Sequence, residues 1–257
     1  MNRRLLVDLN ALKANYRLMQ GKVKPARCAA VIKAGAYGLG ANRVACALSD
    51  AGCDCFFVAT AEEALELCSY VSGADLYVLE GIDAQSVHDL RNARIIPVLN
   101  TYVQVELWAK SCAGGQPNRC VLHLDSGMNR LGFDEAEVRK LAANTRLLGR
   151  LNVDYLMTHL ACADEAAHEQ NPLQLRRFEQ LRAHLPPCRI SIANSAGIFL
   201  GTEYHGDLVR PGIALYGGNP KSVGPNPMHE VVRACGRIVQ VREIHRASTV
   251  GYGASAI

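Results

Sequence analysis

The order of apolar and polar positions divides the chain into short strand-like runs separated by longer helical ones. Eight runs are rich in apolar and β-branched residues: "CAAVIK" from Cys28, "CFFVA" from Cys55, "LYVLE" from Leu76, "IIPVL" from Ile95, "CVLHLD" from Cys120, "VDYLMT" from Val153, "RISIAN" from Arg189 and "DLVRPG" from Asp207. Between them, "AEEALELCSYV", "VQVELWAKSC", "EAEVRKLAAN" and "LQLRRFEQLRAHL" place apolar residues three or four apart with charges on the other face. Strands alternating with helices predict a parallel sheet, and eight such units fit a (β/α)8 TIM barrel better than an open doubly wound sheet. The strands are nearly continuous in hydrophobicity, as expected when both faces are covered. Pro97 counts against its run as a central strand, because proline cannot donate to the ladder.

After "ALYGG" the pattern changes. "GGNPKSVGPNPMH" is dense in glycine and proline and reads as a linker. "VRACGRIVQVREI" then alternates apolar and polar residues towards its end, the pattern of a half-exposed antiparallel strand with no helix behind it. The sequence therefore predicts a barrel over residues 1–227 and the start of a mainly-β domain over 228–257. Two strands make too little sheet to stand alone, so that domain reads as truncated.

At 257 residues and 49% hydrophobic, the chain can bury a substantial core. No apolar run approaches the roughly 20 residues of a membrane span, and "MNRRLLVDLN" lacks the apolar centre of a signal peptide. Ten cysteines without a C-x-x-C pair sit mostly in apolar surroundings and suit a reducing, cytoplasmic compartment. "CDC" at Cys53 to Cys55 reads as a helix end meeting a buried strand rather than a metal site. The net charge of +4 is dispersed, with no basic stripe interleaved with aromatics, which argues against nucleic acid as a partner.

In a barrel of this kind, chemistry collects at the C-terminal ends of the strands. The sequence places Lys33 there, at the end of the first strand in "VIKAGAYGLG", with Arg130 after the fifth, His159 at the sixth, Asn194 and Ser195 at the seventh, and Arg210, Gly212 and Ile213 after the eighth. A buried lysine costs several kcal/mol unless paired or neutral, so Lys33 should be used. Loops after strands seven and eight often bind phosphate. "ANSAG" offers a hydroxyl, and "RPGIALYG" offers backbone N–H groups at Gly212 and Ile213. Singly, Ser195 reads as a helix cap and Gly212 as a turn; together, at adjacent loops, they favour a phosphate. A phosphate facing a lysine suggests pyridoxal phosphate, whose aldehyde condenses with a lysine amine. A Lys33 that only forms an ion pair is the competing reading.

These residues resemble the alanine racemases, fold-type III pyridoxal-phosphate enzymes. The likeness is carried by "VIKAGAYGLG", "LDSGMNRLGF", "THLACAD", "ANSAG", "VRPGIALYG" and "VGYGA", in the family's order, with "VDLNALKANYRLM" resembling its first helix. The resemblance implies an amino-acid substrate, a homodimer, and D-alanine for peptidoglycan. It implies that Lys33 holds the cofactor and exchanges the Cα proton on one face, while Tyr252 from the partner subunit acts on the other. Arg210 would face the pyridine nitrogen, and Arg130 the cofactor's phenolic oxygen and the substrate carboxylate. His159 would pack on the ring, and Tyr37, Ser195, Gly212 and Ile213 would hold the phosphate, beside Asn194.

Some positions depart from the family. Gly35 and Leu39 replace an asparagine and a histidine, and Gly35 is expected to loosen the loop behind Lys33. His123 stands where the family often carries a carbamylated lysine; a neutral imidazole can accept a hydrogen bond from Arg130 but supplies no anion. Family members also continue beyond the tyrosine turn, which implies weak cofactor binding and poor racemisation by these residues alone. Two further readings stay open: a racemase of broader specificity or a decarboxylase on the same barrel, and a barrel that binds pyridoxal phosphate without catalysis.

Overall fold

The computed structural model describes residues 3–111, 119–244 and 248–256. The chain forms two compact units, one of Met1–Val7 with Val232–Ile257 and one of Asp8–Val231. This division differs from the predicted boundary at 227/228. The first strand, β1 (Arg4–Val7), pairs antiparallel with Val232–Cys235, so the start of the chain groups with its end.

In the larger unit, Asp8 caps α1 (Leu9–Lys22) by accepting from the N–H groups of Asn10 and Ala11 at 2.8 and 3.0 Å. Leu12, Tyr16 and Met19, at helical spacing, are the face it buries. The first barrel strand is β2 (Arg27–Cys28) and β3 (Ala30–Val31), interrupted only at Ala29. Then follow β4 (Cys55–Val58), β5 (Asp75–Val78), β6 (Ile96–Leu99), β7 (Arg119–His123), β8 (Asn152–Met157), β9 (Ile190–Ser191) and β10 (Leu208–Val209). From β3 to β9 they form one parallel seven-stranded sheet in sequence order. The eighth barrel strand, β10, pairs in parallel with β2 and joins the β9 side through the bridge Asn194–Arg210, which closes the ring. The fold is the predicted (β/α)8 barrel.

Three expectations change in detail. Lys33 does not end a strand: the ladder stops at Val31, and Lys33 opens the turn that follows. Pro97 does lie in a strand, β6, but the ladder to β5 runs only over Ile96 and Pro97, so little pairing is interrupted. In the smaller unit, β11 (Val232–Cys235) is the strand, while the alternating residues behind it up to Ile244 are exposed and unpaired. A strand needs a partner, and β1 offers four residues. β12 (Thr249–Val250) and β13 (Ser255–Ala256) pair with each other around the glycine turn.

The barrel interior is filled by Val31, Phe57, Tyr77, Val98, Val121, Tyr155 and Met157, with Phe57 and Tyr77 stacked at 4.6 Å. At the N-terminal end, Asp75 bridges Arg27 at 2.6 Å and Arg119 at 2.5 Å, and Arg119 also reaches Asp154 at 2.8 Å. Burial pushes the Asp75 carboxyl up, but its bonds to Arg119 and Arg27 outweigh that and hold it below the usual range. Its contribution is therefore present above the unfolded carboxylate value near 3.9 and lost as pH falls through the folded one. Asp75→Ala should leave Arg27 paired with Asp54 alone and Arg119 with Asp154 alone, and cost about 2 kcal/mol, less than for a fully buried pair because the site is partly solvated. Urea unfolding at neutral pH measures this loss, and it should vanish in acid.

Candidate active site

The residue behind β3 determines the geometry of the site. From Ala34 to Tyr37 the backbone stays left-handed, with φ of 53, 60, 57 and 55°. Such a turn costs roughly 1–2 kcal/mol per non-glycine residue. It is held by Ala36 N–H to the Ile32 carbonyl, Gly38 N–H to that of Ala34 and Gly40 N–H to that of Gly35, at 2.9, 2.9 and 2.8 Å. Gly35, expected to loosen this loop, is the one member of the run that adopts the conformation without steric penalty, and its N–H donates to Glu63 at 3.3 Å. The turn leaves Lys33 half-buried, and brings the Tyr37 ring to 4.6 Å from that of Tyr216. Tyr216 in turn donates its hydroxyl to the Val31 carbonyl at 3.1 Å.

Lys33 and Tyr37 line a cavity of about 510 Å³ at the C-terminal end of the strands, together with Arg130, His159, Asn194, Ser195, Arg210, Gly212 and Ile213. Every residue selected from the sequence is brought together there except Tyr252. That residue lies in the smaller unit, fully exposed, in a turn whose flanking Gly251 and Gly253 have φ of 69 and 81°.

Arg130 sits on a loop folded by Asp125, whose Oδ1 accepts from the N–H groups of Gly127, Met128 and Asn129 at 2.9, 3.0 and 3.1 Å. The loop closes where Phe133 N–H donates to the His123 carbonyl at 2.8 Å. Here Gly132, at φ 105°, passes too close to the β7 backbone to carry a Cβ. The Arg130 guanidinium makes no hydrogen bond or ion pair among the described residues. Arg210, by contrast, is buried and held by three hydrogen bonds: it donates to Ser191 Oγ, to the Thr158 carbonyl at 2.6 Å and to that of Ile192 at 3.3 Å. Burial pulls its guanidinium down to about 9, which still leaves it charged at neutral pH. Burial first, then the Arg210 and Arg130 charges, hold His159 down at about 3, so its ring is neutral.

The loops after β9 and β10 meet through Ser195. Its Oγ accepts from Gly212 N–H at 2.8 Å and from Ala214 N–H at 3.2 Å. The Gly212 N–H, read from the sequence as free, is therefore already taken. Of the two amides, Ile213 N–H is the one without a partner among the described residues. A Cβ at Gly212 would overlap the Tyr37 hydroxyl, so the loop leaves a notch roofed by a phenol. Asn194 acts structurally, accepting from Gly197 N–H at 2.9 Å and donating to the Leu160 carbonyl at 3.3 Å.

The arrangement holds one amine, two guanidinium groups, a neutral imidazole and a hydroxyl-and-amide notch around a single cavity. That set suits a phosphorylated, carbonyl-bearing aromatic group. The alanine racemase N-terminal domain family matches residues 7–220. The chain belongs to the alanine racemase family. It is 45% identical over 254 residues to alanine racemase from Rhodospirillum rubrum, covering 98% of this chain and 68% of that protein. To the catabolic alanine racemase of Mesorhizobium japonicum it is 44% identical, covering 98% and 66%. A crystal structure of alanine racemase from Bartonella henselae with covalently bound pyridoxal phosphate superposes with a TM-score of 0.91 at 39% identity, over 99% of this chain and 72% of that one. The chain thus spans about two thirds of the length of these family members.

Sequence reading passed over Asn100, Glu63 and Gln174. Gln174, wholly buried, accepts from Ala161 N–H at 2.8 Å and donates to the His159 carbonyl at 3.0 Å. Asn100 bonds His123 at 2.7 Å. Each comes from a different element than the residue it holds, and no local spacing announces such a partnership.

Proposed function

We propose that the chain binds pyridoxal phosphate on Lys33 and interconverts L-alanine and D-alanine, an isomerase reaction. The observation that carries this reading is the convergence of Lys33, Arg130, Arg210 and the Ser195–Gly212 notch on one cavity. When bound, pyridoxal phosphate supplies an electron sink that acidifies the proton on the substrate Cα. The residues fit it: the open Ile213 N–H, the Ser195 hydroxyl and the Tyr37 phenol stand at the notch for a phosphate, beside Asn194. Arg210, which keeps its charge, would stand toward the ring nitrogen and, as a cation that does not give up its proton, would make the group a weaker electron sink. His159, with its ring neutral, would pack against the cofactor ring. Arg130, unengaged, takes the substrate carboxylate.

Racemisation needs a proton removed from one face of Cα and returned to the other. The Lys33 amine serves one face and Tyr252 of a second copy serves the other, in a homodimer that feeds D-alanine to peptidoglycan in the cytoplasm. A second reading is a barrel that binds the cofactor without racemising.

The test is direct. Purified chain with added cofactor should turn yellow, borohydride should fix the label on Lys33, and L-alanine should be racemised. Label without turnover, and no further loss in Tyr252→Phe, would select the binding-only reading. Carbon dioxide release in place of racemisation would select a decarboxylase. Gly212→Ala should push Tyr37 off the notch and weaken cofactor affinity about tenfold, the loss of roughly one charge-assisted hydrogen bond, measurable by fluorescence titration.

A further inference from the structure

The left-handed run behind Lys33, Ala34 to Tyr37, is held mostly by its own backbone. Ala36, Gly38, Leu39 and Gly40 donate their N–H groups to the carbonyls of Ile32, Ala34, Ala36 and Gly35 respectively. Such bonds fix the shape of the turn but not its place against the barrel. Among the described residues, one hydrogen bond reaches the run from another element: Gly35 N–H donates to Glu63 Oε1 at 3.3 Å. The second oxygen of the same carboxylate, Oε2, accepts from Ala59 N–H at 2.7 Å. Ala59 follows β4 and lines the cavity with Lys33 and Tyr37, so Glu63 ties together the loops behind two neighbouring strands.

This use of the carboxylate departs from what its position offers. Glu63 is the third residue of the helix Ala61–Leu67, whose cap Thr60 accepts from Glu63 N–H at 3.3 Å. A glutamate there ordinarily turns back to the N–H of the cap residue and completes a capping box, as Glu137 does with Asp134. Glu63 bypasses Thr60 and takes the Ala59 and Gly35 amides instead. Hydrogen bonds to an ionised carboxylate are about twice as strong as neutral ones, and these oppose the pull of Ala34, Ala36 and Tyr37 towards right-handed backbone. At its far end the run carries Tyr37, whose ring meets that of Tyr216 at 4.6 Å.

We propose that Glu63 is a positioning residue: by bridging the Ala59 and Gly35 amides it seats the left-handed turn against β4 and so aims the Lys33 amine and the Tyr37 phenol into the cavity. Glu63 itself does not line the cavity and acts through the turn. The inference rests on Lys33 as the cofactor-bearing amine for its effect on turnover, but not for its effect on the turn.

In the full chain without cofactor, amide exchange followed by NMR should show Gly35 N–H exchanging about tenfold faster in Glu63→Ala, with the nuclear Overhauser contact between the Tyr37 and Tyr216 rings weakened. Thr60→Ala strips the same helix of its cap and so reports loss of helix stability alone. It should lower the melting temperature yet leave both signals as in the parent chain. In the cofactor-loaded protein, kcat for L-alanine per folded molecule should fall about 10²-fold in Glu63→Ala with KM changed less than about threefold, because a misplaced reacting group costs rate, while Arg130 stands on another loop. Thr60→Ala should keep the parent kcat. Glu63→Gln keeps the size and one accepting oxygen but sets an NH2 group against the other amide. It should lose about tenfold in kcat, and it decides the matter if Glu63→Ala does not fold. Unchanged Gly35 exchange or unchanged kcat in the Glu63 variants, or equal losses in Thr60→Ala, would overturn the proposal. A parent chain that takes up no cofactor would instead sink the functional reading, and the exchange and ring-contact measurements would still decide the positioning.

Discussion

Lys33→Ala should abolish covalent cofactor attachment and lower racemisation about 10⁴-fold, the upper range for removal of a general base, with the fold intact. The lysine is half-buried and its ammonium makes no hydrogen bond or ion pair among the described residues, so the barrel loses almost nothing with it. Stability should stay within about 0.5 kcal/mol of the parent chain. Lys33→Arg separates charge from reactivity, since a guanidinium keeps the positive charge but does not condense with an aldehyde at neutral pH. Both variants should fail to fix label on borohydride reduction. Label elsewhere, or turnover surviving in either variant, would remove Lys33 from the mechanism.

Arg210→Met should separate function from stability in the opposite sense. Arg210 is a buried cation with no carboxylate among its partners, neutralised only by dipoles of carbonyl and hydroxyl groups. Replacing it with a flexible apolar chain relieves the desolvation of a charge but leaves the Thr158 and Ile192 carbonyls short of a donor. These terms oppose, and the net change in unfolding free energy should be about 1 kcal/mol or less. Racemisation should nonetheless fall about 10²–10³-fold, the scale for losing a preorganised charge at the reacting group. A large loss of stability with normal turnover per folded molecule would make Arg210 a structural tie.

The barrel was legible in the sequence because its signal is local. Eight apolar runs alternate with helical stretches, and Cβ direction along a strand or helix follows from period alone. The predicted helices lie within four residues of the observed ones at the segments from Ala61, Tyr102, Glu135 and Gln170. The candidate site was legible for the same reason: a barrel brings strand ends to one mouth, so residues at those ends meet whatever their separation in the chain.

Tertiary structure decided what depends on distant partners. The pairing of Arg4–Val7 with Val232–Cys235 moved the start of the chain into the smaller unit, and no period in either segment specifies the other. The left-handed run after Lys33 is shaped by hydrogen bonds and by Glu63 from a later helix, against the intrinsic preference of two alanines and a tyrosine. The Gly212 N–H proved occupied because Ser195 reaches it across two loops. The partner of His123 proved to be Asn100, which is itself oriented by carbonyls of β6 and of the residue after β5. Sequence alone thus set the elements, the closed ring and the residues at its mouth, since these follow from local periodicity. Hydrogen-bond direction and strained backbone arise from contacts between elements, and only the folded chain assigns them.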